Sequence, residues 1–306
     1  MNHPDIRNVA ASVHARLRGL RADSHDDYQT LLIRFALERF LYRLTRSGYA
    51  DSFLVKGGML FPLWAGDSQR PTRDLDLLGF GPSDAESLRA AITGICIVDV
   101  EDDGLEFRAD TVRVEEIRRE APYGGIRVRM RASLGRSVIP IVVDIGFGDA
   151  VVAPPRPVAY PTLLPFPAPL IRPYPAESVI AEKFQAMVAL GEVNSRLKDY
   201  YDIAFLCRRF PFPGATLAEA LQATFDRRQT RLPLEIPPAL TQAYYADPIH
   251  MRDWTALLRK IRIPAAEWSL GAVCAQIEAF LMPVAQSLRS GAAQPGRWEA
   301  GGWSTL

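Results

Sequence analysis

Between Asp26 and Arg46 apolar side chains recur every three or four positions, with Tyr28, Leu31, Leu32, Phe35, Leu41 and Leu44 on one stripe. Asp26 and Asp27 stand near the start of this pattern and Gly48 follows its end, so the spacing predicts an amphipathic helix. Short apolar runs bounded by turn residues come next. They predict strands at Phe53–Val55, Leu75–Phe80, Ile95–Val100, Thr111–Ile117, Ile126–Ala132 and Val138–Phe147, with a helix over Asp84–Thr93. Beyond residue 175 the helical period returns. Val179, Ile180, Phe184, Met187 and Val188 form one stripe, and Ile203, Phe205 and Leu206 continue it. Further helices are predicted over Leu217–Phe225, Leu240–Tyr245, Trp254–Ile261 and Leu270–Leu288. Strands with interspersed helices followed by helices alone indicate an α+β chain: a mixed sheet flanked by helices, then a helical domain.

The two patterns are separated by proline. Residues 153–175 hold nine of the chain's 24 prolines. Proline fixes φ and lacks a backbone donor, which excludes a helix or a central strand here. The run is expected to be an extended connection, packed on the surface through Leu163, Leu164, Phe166 and Ile171. The expected organisation is therefore a first domain over 1–152, the Pro-rich connection over 153–175, a helical domain over 176–290 and a flexible Gly-, Ala- and Ser-rich tail over 291–306. A length of 306 residues, at roughly 150 per domain, agrees with two bodies.

Composition narrows the function. Lys and Arg number 36 against 35 Asp and Glu, a formal charge of +1, so any nucleic acid must be met by a local basic patch. The three cysteines, Cys96, Cys207 and Cys274, have no C-x-x-C spacing, which argues against a disulfide scaffold or a structural zinc site. The N-terminal segment lacks the apolar core of a signal peptide, and no uninterrupted apolar run reaches the roughly 18 residues of a membrane span. A cytoplasmic protein without membrane association is expected.

Candidate chemistry begins at Lys56-Gly57-Gly58-Met59, where a strand meets two glycines. Such a bend lets backbone N–H groups approach a phosphate, although a bare glycine pair also serves any tight turn. Shortly after comes Arg70-Pro71-Thr72-Arg73-Asp74-Leu75-Asp76. Asp74 and Asp76 alternate along a strand and share a face, where like charges repel unless a cation joins them. Hard oxygen ligands of this kind suit Mg²⁺ completed by substrate phosphates. A solvated edge strand is the plain alternative. Asp144 stands alone within the apolar run Ile141–Ile145, where a carboxylate needs a partner or a metal, or caps the strand end near Gly146. If its strand lies beside that of Asp74 and Asp76, three carboxylates converge in a site for in-line nucleotidyl transfer. Farther on, Glu182-Lys183 supplies a point charge fit for a triphosphate. Arg196-Leu197-Lys198-Asp199-Tyr200-Tyr201-Asp202 puts Asp199 and Asp202 one helical turn apart, with Lys198 and Asp202 spaced as an ordinary surface pair.

In this order, from about Val55 to Leu206, the segments G-G, R-x-T-x-D-L-D, a lone strand Asp, E-K and R-x-K-D-x-x-D resemble the AbiEii/AbiGii nucleotidyltransferase toxins. That family includes the MenT-type toxins and belongs to the polymerase-β-like nucleotidyltransferase superfamily. The resemblance implies that Lys56, Gly57 and Gly58 hold the NTP triphosphate, and that Asp74, Asp76 and Asp144 bind Mg²⁺ or Mn²⁺, with Asp144 helping to activate the acceptor hydroxyl. Arg70 and Thr72 match the R-x-[ST] step, where some relatives are phosphorylated by their antitoxin. Lys183 and Asp202 match positions used for nucleotide binding and activity, joined by Lys198 and Asp199. Met59 departs from the Ser or Thr that many relatives carry after the glycines. A cognate antitoxin and a role in phage defence are implied as well.

The acceptor is suggested by Arg127, Arg129 and Arg131, which share one strand face, with Arg113, Arg118, Arg119 and Arg136 nearby. Such a stripe suits an RNA backbone, and the resemblance points to the tRNA 3′ acceptor end. A solvated outer face, partly neutralised by Glu115, Glu116 and Glu120, is the plainer reading. An aminoglycoside-type nucleotidyltransferase is the alternative enzyme, and it would want an acidic substrate pocket instead.

Overall fold

The computed structural model describes residues 8–23, 27–66, 72–117, 125–152, 155–299 and 301–304. The chain forms two units, one of Met1–Gly148 with Pro155–Tyr174, the other of Asp149–Pro154 with Pro175–Leu306.

The first unit opens with α1 (Val9–Asp23) and α2 (Tyr28–Arg46). The Asp27 carboxylate accepts from the Thr30 N–H at 2.7 Å and so satisfies one of the free donors that begin α2. β1 (Phe53–Lys56) leads through a tight 3₁₀ turn at Gly57–Leu60 into α3 (Phe61–Ala65). β2 (Leu75–Gly79), α4 (Ala85–Cys96), β3 (Leu105–Ile117), β4 (Gly125–Leu134) and β5 (Ser137–Phe147) follow. The sheet order is β1-β2-β5-β4-β3, with β2 and β5 parallel and the other pairs antiparallel. On its inner face Val55, Leu77, Ile145 and Ile126 stand in one buried cross-strand row, packed with the apolar sides of α2 and α4.

The strand expected over Ile95–Val100 does not form. Leu88, Ala91, Ile92, Ile95 and Cys96 are buried at helical spacing, so α4 runs on through Cys96 and the chain leaves it as an unpaired loop. Under α2 lies an ion network. Asp103 accepts from Arg39 Nε at 2.9 Å and from Arg43 Nη1 at 2.7 Å. Burial pushes its carboxyl up, but the bonds and charges of the two arginines outweigh that and hold it below its usual value.

Residues 155–174 of the Pro-rich run belong to this unit. β6 (Val158–Ala159) and β7 (Leu170–Ile171) pair with each other, and residues 172–174 line the free edge of β1. There Val55 N–H donates to Arg172 O and Tyr174 N–H donates to Val55 O, both at 2.9 Å. Pro173, which has no N–H to give, sits where an edge tolerates it. The Glu38 carboxylate accepts from Leu163 N–H at 2.8 Å and Arg39 donates to Pro167 O at 2.7 Å, fixing the run to α2.

The second unit holds α5 (Ala176–Leu190), α6 (Leu197–Arg209), β8 (Phe212–Pro213), α7 (Gly214–Arg227), α8 (Gln242–Tyr245), α9 (Pro248–Lys260), α10 (Leu270–Ser290), β9 (Arg297–Glu299) and β10 (Gly302–Trp303). α10 is the single described helix long and apolar enough to cross a membrane, and Val273, Ile277, Phe280, Leu281 and Val284 are buried in this unit's core. The tail expected to be flexible is packed. β9 pairs with β8 and β10, Trp298 is buried, and its indole N–H donates to Cys207 O at 2.7 Å. A large aromatic with a satisfied donor outweighs the flexibility of the surrounding glycines.

Candidate active site

Register sets the first cluster. Lys56 on β1 stands opposite Asp76 on β2, Asp76 beside Asp144 on β5, Asp144 opposite Arg127 on β4, and Arg127 opposite Glu115 on β3. Directly opposed residues share a face, so these five make one charged row on the sheet's outer side. Two neighbouring carboxylates are thus bracketed by two cations. Lys56 Nζ also lies 4.3 Å from the centre of the Tyr174 ring.

Gly57 closes the row at one end. Its φ is +65°, and a Cβ there would lie 1.8 Å from Asp76 Oδ2. The bend therefore needs glycine twice, for its left-handed backbone and for the room that lets the main chain reach the carboxylate. Asp74, just before β2, is exposed. Thr72 Oγ1 donates to its Oδ1 at 2.9 Å, and Arg73 ties the segment to the start of α2 through Asp27 at 2.8 Å and Thr30. Burial pushes Asp27 up, but the Thr30 backbone bond is the larger influence and, with Arg73, holds its carboxyl low. Met59 is buried and receives a hydrogen bond from the Tyr160 hydroxyl at 3.8 Å. Arg70 lies outside the described residues, as do Arg118, Arg119 and Glu120.

Asp144 is buried, and both its oxygens are engaged: Arg127 Nε donates to Oδ1 at 2.7 Å and Nη2 to Oδ2 at 2.6 Å. The hydrogen bond to Asp144 raises the Arg127 guanidinium above its ordinary value against its partial burial, and the charges of Asp144, Asp74 and Asp76 add to the effect. One expectation changes. Arg127 is committed to the carboxylate row and is not part of an open arginine stripe. Among the described residues no group of three or more His, Cys, Asp and Glu side chains is arranged to hold a metal ion, and both Asp144 oxygens are turned to Arg127. Asp74 and Asp76 fit a divalent ion: one is exposed, the other lies in a cradle that a Cβ would fill. Arg129 remains exposed beside Glu115 at 3.3 Å, and Arg131 is exposed in register with Arg108.

The second unit carries its own cluster. Lys183 on α5 is ion-paired with Asp199 and, at 2.9 Å, with Asp202, both on α6. Asp202 is buried, and Lys198 lies on the exposed side of α6. Glu182 next door pairs with Arg228 at 3.2 Å, and Arg228 reaches Asp149 at 3.5 Å. Sequence reading did not single out Arg228, which follows Arg227 at the end of α7 with no pattern to mark it. The Arg127–Asp144 pairing did have a signal. Gly135 and Arg136 form a two-residue turn between β4 and β5, and counting back from it sets Arg127 opposite Asp144.

The fold is a mixed sheet that presents paired aspartates on adjoining strands beside a glycine bend. A family model described as nucleotidyl transferase AbiEii toxin, type IV toxin–antitoxin system, matches residues 39–276. The chain belongs to this AbiEii family of nucleotidyl transferase toxins. Among solved structures it is similar to JHP933 from Helicobacter pylori, with 16% identity, a TM-score of 0.48, and coverage of 86% of this chain and 98% of that one. It is also similar to a putative nucleotidyltransferase from H. pylori, with 14% identity, a TM-score of 0.49, and coverage of 88% and 100%. No curated protein matches it significantly.

Proposed function

We propose that this protein transfers a nucleoside monophosphate from an NTP to RNA, at the 3′ acceptor end of tRNA, and that it is a cytoplasmic phage-defence toxin restrained by a cognate antitoxin. The observation that carries the reading is the register of Asp76 with Asp144 on adjoining strands, with Gly57 packed on the Asp76 carboxylate. Asp74 and Asp76 would hold Mg²⁺ or Mn²⁺. When bound, such an ion neutralises charge on the triphosphate oxygens. Lys56, Gly57 and Gly58 take the triphosphate side. The acceptor hydroxyl oxygen bonds to the α-phosphorus, the bond to the β-phosphate oxygen breaks, pyrophosphate leaves, and the hydroxyl proton passes to the Asp144 side of the row. By the same family resemblance Lys183, Asp202, Lys198 and Asp199 serve nucleotide binding. Thr72, already bonded to Asp74, is where an added phosphate would set negative charge beside that carboxylate.

Arg129, Arg131 and Arg108 on the same outer face favour an RNA backbone over a cationic aminoglycoside. Arg129 and Arg108 pair with exposed carboxylates that yield readily to phosphates. The test incubates the protein with labelled NTPs and Mg²⁺, with total tRNA in one reaction and an aminoglycoside in a parallel one. Label is expected on tRNA, and Asp76→Ala is expected to abolish both labelling and growth inhibition. Label on an aminoglycoside alone would select the other enzyme class, and toxicity that survives Asp76→Ala would overturn the catalytic account.

A further inference from the structure

The Asp144 side chain is 7% exposed, and a charge so placed must be matched. Arg127 matches it with a guanidinium fork, one donor to each oxygen, at 2.7 and 2.6 Å. The fork geometry fits a carboxylate in a way no point charge can. The two residues are direct cross-strand partners on strands joined by a two-residue turn, so the pairing is written into the register of β4 on β5. Asp76 is the next member of the row. A cation therefore already stands against the third carboxylate, and its like charge opposes a second cation from that side.

From this geometry we infer that Arg127 is a positioning residue: it withholds Asp144 from metal binding, so that Asp74 and Asp76 alone take up the first divalent ion, and it fixes the orientation of the Asp144 carboxylate. The inference rests on the nucleotidyl-transfer reading above. It distinguishes this row from three carboxylates sharing their ions. Because the Arg127–Asp144 pair is neutral as a whole, removing both charges together should leave the metal site unchanged, whereas removing Arg127 alone should release Asp144 to the metal.

The test is Mn²⁺ binding to the full nucleotide-free chain, followed by the electron paramagnetic resonance signal of free Mn²⁺. Asp76→Asn is expected to weaken binding at least tenfold. Arg127→Gln is expected to tighten it at least fivefold, with the gain lost on adding Asp144→Asn. The double variant, whose two amides can bond each other, is expected to bind Mn²⁺ within twofold of the unmodified chain. It keeps the test decisive if Arg127→Gln alone fails to fold. A double variant that binds Mn²⁺ tenfold more weakly, or a folded Arg127→Gln that binds no more tightly, overturns the assignment. Labelling of tRNA is scored separately. The Mn²⁺ pattern without RNA labelling would refute the RNA reading alone, whereas labelling together with a tenfold loss in the double variant would refute the role of Arg127 alone.

Discussion

Gly57→Ala puts a methyl group where the Asp76 carboxylate lies. The added Cβ would stand 1.8 Å from Asp76 Oδ2 and 2.7 Å from Cγ. Restoring ordinary contact requires the carboxylate or the bend to move by roughly 1.5 Å. A left-handed alanine costs about 1–2 kcal/mol in backbone energy alone. That corresponds to a melting temperature lower by roughly 2–8 °C for a unit of this size. Displacement on this scale of the carboxylate proposed to hold the metal is expected to slow transfer by about 100-fold. Gly291→Ala supplies the control. Gly291 has φ +72° at the end of α10 with nothing within 4 Å of its would-be Cβ, so it carries the backbone cost without the collision. Thermal unfolding and label transfer to tRNA should therefore separate the two: both variants melt earlier, and Gly57→Ala alone loses activity. Gly57→Ala with unchanged transfer would refute the claim that the bend and the Asp76 carboxylate share one fixed space.

Three other outcomes are expected. Burial is the main cause that pushes Glu38 from 4.5 up to about 7, reinforced by Asp103 and opposed by the Leu163 bond, Arg39 and Arg34. The folded chain then keeps a proton that the unfolded chain has released, so stability falls as pH rises from about 5 to above 7, by roughly 2–3 kcal/mol in all; urea midpoints should flatten in Glu38→Gln, and parallel pH curves would refute this. Lys183→Met removes the ion-pair partner of the buried Asp202 and should cost about 3 kcal/mol in urea unfolding, so a change below 1 kcal/mol would mean that the pair does not hold α5 to α6. Trp298→Ala should cost about 3–5 kcal/mol by the same measurement, a loss that a frayed tail would not suffer.

An element with a single buried face was legible in the sequence: the alternation over Ile126–Ala132 states which side is covered, and β4 follows it. The stripe over Tyr28–Leu44 located α2 but not its burial, which extends around almost the whole helix from Thr30 to Leu44 and includes Glu38, Arg39 and Arg43. Ile95–Val100 misleads because a short apolar run at a helix end has no period of its own. The tail misleads because glycine counts speak of freedom, while Trp298 and Trp303 decide what is buried. For the site, Asp144 was conspicuous by its apolar setting. Its neighbours follow from register, and the parallel pairing of β2 with β5 joins segments far apart along the chain, with no local signal. The partners of Lys183 were quoted in the motif, but that one lysine serves both aspartates depends on how α5 and α6 pack.

The edge of β1 is finished by residues 172–174, more than a hundred positions downstream of the strand they protect. A ribosome making this chain must release more than half of it before the sheet that bears Asp76 acquires its last border. Until then Val55 presents an open backbone donor and acceptor, and Lys56 has no Tyr174 ring to rest on. A nascent fragment that stops short of Pro155 therefore has the aspartates of the row without their finished frame, so the toxin cannot be fully assembled early in its own synthesis.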